Sequence, residues 1–134
     1  MAQMIFVNLP VKDLERSKEF FTRLGYTLDP QFSDENAASV VISDTIVAML
    51  LTEPFFGTFT KKQIVDATQA TEVLICLSAE TRQEVDELME KAFAAGAAPA
   101  GETQDMGPMY GRSFQDLDGH IWEVMYMDQS ALEG

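Results

Sequence analysis

The sequence predicts an α+β protein in which two βαβββ modules form curved mixed sheets around a cleft, and three observations carry that prediction. Two segments, 13–25 and 81–96, gather apolar residues at helical spacing between start and stop signals. Each follows a short apolar run with the β-branched and aromatic character of a strand. Each is followed by further short runs of that kind, so one order of elements passes twice along the chain. Few residues match between the halves; the pattern repeats, not the letters.

The first strand is "MIFVNLPV" (4–11), with Pro10 pointing to a sheet edge or a bulge. In "DLERSKEFFTRLG" (13–25), Leu14, Phe20, Phe21 and Leu24 share one helical side, Asp13 can cap the start and Gly25 can close the end. "YTLDPQF", "AASVVIS" and "TIVAMLL" read as three strands separated by turn residues. The stretch 52–70 is too long for a hairpin, carries Phe55, Phe56 and Phe59, and has room for a short helix near Lys61 to Ala67. Its phenylalanines suit a lid or a dimer contact, because an isolated apolar patch is costly on a monomer, with core filling as the alternative. "TEVLICLS" (71–78) opens the second half. In "TRQEVDELMEKAFAAG" (81–96), Thr81 and Glu84 form a capping box and Val85, Leu88, Met89 and Ala92 make the buried stripe before Gly96. "AAPAGET" is a weak extended piece, and "MYGRSFQ" and "HIWEVMYM" are strands around the turn "DLDG". The reading is one domain, 1–134, with module one about 1–53, a connector about 54–70 and module two about 71–128.

At 134 residues and 46% hydrophobic, such a chain can bury a core without disulfides. Nine basic residues against 22 acidic ones give a formal charge of −13, which repels phosphate backbones and anionic headgroups. Nucleic acid and membrane are therefore not expected partners. No run approaches the roughly 18 apolar residues of a membrane span, and the N-terminus lacks the form of a signal peptide. The single Cys76 sits in an apolar run and reads as a buried thiol of a reducing compartment, so the protein is expected in the cytoplasm.

Alternation assigns faces. Ile5, Val7, Leu9 and Val11 should lie under the first helix, leaving Phe6 and Asn8 on the other side. In the last strand Trp122, Val124 and Tyr126 oppose Ile121, Glu123 and Met125. His120 and Glu123, an odd number apart, cannot bind one metal together from a straight strand. A four-residue loop Asp116–Gly119 would pair Gln115 with His120 and put Arg112 across from Glu123 as an ion pair. A slip of one residue would put Ser113 there instead. His120, the only His, could act as a general base, although a partly exposed first strand residue explains it as well. "GPMYG" (107–111) lacks the Lys of a phosphate loop and suits a flexible lid, while "DLDG" lacks the rest of a calcium loop. Several of the eight Met residues, among them Met49, Met106, Met109, Met125 and Met127, would give the cleft pliable walls.

"FVNLPVKDLERSKEFFTRLGY" near the start and "FQDLDGHIWEVMYM" near the end resemble the vicinal-oxygen-chelate superfamily: glyoxalase I, extradiol dioxygenases, and bleomycin- and fosfomycin-resistance proteins. With "VISDTIVAMLLTE" between them, the chain is most similar to the branch described as predicted lactoylglutathione lyases. The resemblance covers essentially the whole chain and implies paired βαβββ modules, usually in a homodimer. It also implies a divalent metal held from the first and last strands of each module, at positions that here are Phe6, Leu50, Glu72 and Glu123. Phe6 stands where the first strand often has His, and Leu50 where glyoxalase I has Glu. Only Glu72 and Glu123 could be metal ligands, and a useful transition-metal site generally takes at least about three protein donors.

Three functions follow as expectations. One is a cleft that binds a small apolar or aromatic molecule without a complete family metal site, with Phe6, Leu50, Met125 and Trp122 or its neighbours as walls and Asn8, Arg112, Glu72 and Glu123 as polar contacts. The alternative is a divalent-metal-dependent lyase or isomerase of the glyoxalase I type, with Glu123 moving a proton beside a carbonyl. The third is a dimeric scaffold with a vestigial cleft.

Overall fold

A computed structural model describes residues 2–130. The chain forms two compact units, Met1–Val65 and Asp66–Gly134. Both are mixed α+β, and each carries one sheet and one long helix.

In the first unit, β1 (Ile5–Val11) buries Leu9 and Val11, the end of the aliphatic set that alternation picks out. Helix α1 (Leu14–Arg23) starts where the Asp13 side chain accepts the Arg16 N–H at 3.2 Å. It buries Leu14, Ser17, Phe20 and Phe21, and the two phenylalanine rings meet edge to face at 5.0 Å. Burying each such ring contributes roughly 1.5–3 kcal/mol. Strand β2 (Thr27–Asp29) is shorter than its apolar run, because Pro30 cannot donate to a ladder and opens a 3-10 turn that Asp29 caps through the Gln31 N–H. Strands β3 (Ala37–Val41) and β4 (Ile46–Thr52) follow, and the sheet order is β1-β4-β3-β2 with β1 parallel to β4. Pro10 thus lies on an edge strand, one of the two places open to it. The helix of the following segment is α2 (Glu53–Phe56), not the expected Lys61–Ala67: it begins at once after β4, with Pro54 in its first turn, where a missing N–H costs nothing.

The second unit repeats this topology. Strand β5 (Leu74–Ala79) leads into α3 (Arg82–Ala94), which opens with Thr81 accepting the Glu84 N–H at 3.0 Å while Glu84 accepts the Glu80 N–H at 2.8 Å. Val85, Met89 and Ala92 are buried and Leu88 half-buried, as the helical spacing expects. Gly25 and Gly96, at φ +104° and +110°, supply the left-handed residue past the two long helices. The weak piece becomes β6 (Ala98–Pro99) and β7 (Gln104–Asp105), both paired with β8 (Met109–Gln115). With β9 (Ile121–Met127), the order is β5-β9-β8-β6 and β5 is parallel to β9, the arrangement of the first sheet. The first module thus has the expected βαβββ order, and the second has it with its weak middle strand split into β6 and β7. No helix among the described residues is long and apolar enough to cross a membrane.

The turn between β8 and β9 corrects one expectation. Gln115 pairs with Ile121, not His120, so the loop holds five residues, 116–120. Its length is fixed by Asp116, whose N–H donates to the His120 carbonyl at 2.9 Å and whose buried carboxylate accepts the N–H groups of Asp118 and His120, each at 3.0 Å. The other carboxylate oxygen accepts the indole N–H of Trp122 at 3.0 Å, and Trp122 stacks on Phe114 in the core beneath α3. One residue more in the loop shifts every cross-strand pair by one.

Candidate ligand-binding face

Residues paired across a sheet share a face, so the registers place each candidate. In the second unit the face under α3 carries Phe114, Arg112 and Tyr110 from β8 and Trp122, Val124 and Tyr126 from β9. The opposite face carries Leu74, Cys76 and Ser78 from β5, Ile121, Glu123 and Met125 from β9, and Gly111, Ser113 and Gln115 from β8. Glu123 stands at its centre, with Cys76 on one side and Ser113 on the other. It is half-buried, and among the described residues its carboxylate takes part in no hydrogen bond or ion pair.

Cys76 is exposed on this face, not buried, because alternation turns it away from α3. Partial burial pushes its thiol pKa up, and the neighbouring Glu123 pushes it further the same way, so at neutral pH it is a poor nucleophile. Beside Glu123 on the same face, Met125 pairs with Gly111, and a Cβ built at Gly111 would collide with the Met125 Sδ.

Both arginines of this unit are engaged elsewhere. Arg112 pairs with Val124 and reaches Asp86 of α3 at 2.9 Å, which corrects the expected Arg112–Glu123 ion pair. Tyr110 donates to the same Asp86 at 2.6 Å; these two bonds lower the Asp86 pKa, while the bond to Asp86 raises that of Tyr110. Arg82 grips Asp105 through two bonds of 3.0 and 2.8 Å, donates to the Gly107 carbonyl at 2.9 Å and lies 4.8 Å over the Tyr110 ring. The segment read as a flexible lid is thus clamped onto the start of α3.

The first-unit candidates do not come together. Phe6 pairs with Val47 and Asn8 with Met49, and both are exposed on the side away from α1. Leu50 pairs with Leu9, is 0% exposed and belongs to the core under α1, so it cannot share a hollow with Phe6. Trp122 likewise is core and no ligand wall. Glu72 is exposed and precedes β5, whose first residue is Leu74.

A divalent metal of the family kind does not fit these residues. Phe6 and Leu50 offer no donor atom, Leu50 points into the core, and no group of three His, Cys, Asp or Glu able to hold a metal occurs among the described residues. Sequence reasoning passed over Cys76 and Gly111 as neighbours of Glu123. Alternation in "TEVLICLS" and a lone glycine inside "MYGRSFQ" were the available signals.

Comparison with known proteins agrees with this architecture. The description "Bleomycin resistance protein-like N-terminal" matches residues 3–43. No curated protein matches the chain. Among solved structures, a hypothetical protein from S. aureus is 32% identical, with 94% of this chain and 95% of that one covered at a TM-score of 0.78. A glyoxalase-related enzyme from Fulvimarina pelagi is 21% identical over 94% and 88%, at a TM-score of 0.76. A genomically encoded fosfomycin resistance protein from Listeria monocytogenes is 21% identical over 94% and 91%, at 0.67. Fold, repeated module and these matches together show the glyoxalase/bleomycin resistance/dioxygenase fold, the fold of the vicinal-oxygen-chelate proteins that the sequence resembles.

Proposed function

We propose that this protein binds a small organic compound with an apolar or aromatic body and a cationic or hydrogen-bond-donating group, on the open face of its second sheet and without the family's metal. The observation that carries the reading is Glu123: a half-buried carboxylate amid Leu74, Cys76, Ile121 and Met125, with both arginines of its unit held by other carboxylates. Removing a carboxylate from water without a partner is costly, and a ligand donor supplies the charge-assisted bonds the chain leaves unmade. A formal charge of −13 draws cations toward the surface. The match to a bleomycin resistance protein-like segment supports a binding role. A glyoxalase I-type lyase would require donors that Phe6 and Leu50 do not offer.

The test is calorimetric titration of wild type and Glu123→Gln with Ni²⁺, Zn²⁺, Mn²⁺ and Fe²⁺, and separately with 3-phenylpropylamine in the presence of a chelator. The amine should bind wild type and lose at least about fivefold in affinity in the variant, as removal of a charge-assisted bond predicts. Stoichiometric metal binding abolished by Glu123→Gln, with no metal-free amine binding, would overturn the proposal in favour of the metal-dependent lyase.

A further inference from the structure

Gly111 lies in the middle of β8, where glycine weakens a strand, and its φ is not in the left-handed region that would demand glycine. Its reason is above it. A Cβ there would strike the Met125 Sδ and lie 3.1 Å from the Met125 Cε and 3.4 Å from its Cγ, so the Met125 side chain lies flat over a bare peptide. The group in the way is the end of a flexible side chain and no part of the backbone. Gly111 is buried, while Met125 itself stays half-exposed.

We propose that Gly111 and Met125 form a specificity-determining subsite: a slot for a planar ring, closed by the Met125 thioether until the ring takes its place. The proposal rests on the reading of Glu123 as the polar anchor. Thioethers turn easily and make favourable contacts with aromatic rings, so Met125 can swing aside and cover the ring it admits. Glu123 is two residues from Met125 on the same face and Ser113 two from Gly111, so the cross-strand row of the slot and the row of the carboxylate are about 7 Å apart along the strands. The ligand class is therefore a planar ring bearing an amine, amidine or guanidine about 7 Å from its centre.

The full-length protein, labelled with ¹³C at the methionine methyls, is titrated with 3-phenylpropylamine and with its non-planar analogue 3-cyclohexylpropylamine; the Met125 methyl is assigned by its loss in Met125→Leu. The aromatic amine should bind at least fivefold more tightly than the analogue and move the Met125 methyl upfield. In Gly111→Ala, which fills the slot, its affinity should fall about tenfold. Binding that Glu123→Gln weakens, but that neither prefers the planar ring nor moves the Met125 methyl, overturns the slot and leaves the anchor standing. The wild-type methyl signal decides this even if Gly111→Ala does not fold. Absence of binding by either amine sinks the anchor and the slot together.

Discussion

Asp116 ties the last hairpin of the second unit together through one side chain. It is 6% exposed, and its carboxylate accepts two backbone N–H groups and the indole N–H of a buried tryptophan. Truncation orphans three donors, so Asp116→Ala should lower unfolding free energy in urea by about 3 kcal/mol. Asp116→Asn should fall between, since it keeps an oxygen for the turn but sets an amide N–H against the indole. Burial raises the Asp116 pKa, opposed by His120 and the bonds it accepts. The folded state then holds this proton more tightly than the unfolded chain, so the group's contribution declines as pH rises from the unfolded value through the raised one. Equal stability of Asp116→Ala and wild type would contradict the role assigned to the turn. This residue also explains why the sequence put Arg112 across from Glu123. Alternation sorts side chains into two sets, but the register between two strands depends on loop length, and here side-chain bonds within the loop set that length.

At the scale of elements, what was legible followed local chemistry. Both long helices appear where spacing, caps and terminal glycines put them, because those signals act within a turn or two of the chain. The elements misjudged each turn on one proline whose effect was not weighed: β2 stops after three residues where Pro30 opens a 3-10 turn, and the short helix starts around Pro54 directly after β4. Edge strand β1 carries a prediction of its own. Ile5 and Phe6 are 55% and 54% exposed on the end strand of the first sheet, a combination that invites association. We infer that this strand takes part in the homodimer that the superfamily resemblance implies. Sedimentation velocity should find a wild-type dimer that Phe6→Ser shifts toward monomer; a wild-type monomer at every concentration would contradict it.

For the molecule as a whole, the fold was readable because its signature lies in two segments near the ends of the chain and in an order of elements, all local properties. The site was less readable. Four positions expected to share one hollow divide into a core residue under α1, an exposed phenylalanine, an exposed carboxylate before β5 and one half-buried carboxylate on an open face. Burial depends on which face each helix covers, and alternation leaves that choice open until the packing is known. What remains is Glu123 with Cys76, Ser113 and Met125 around it, short of donors for a metal and the face on which we propose that a compound is held. The most direct test is amide chemical-shift mapping with 3-phenylpropylamine in the presence of EDTA. The account predicts saturable shifts clustered at Leu74, Cys76, Ser113, Ile121, Glu123 and Met125. Shifts confined to other residues, or binding that appears only when a divalent metal is restored, would contradict it.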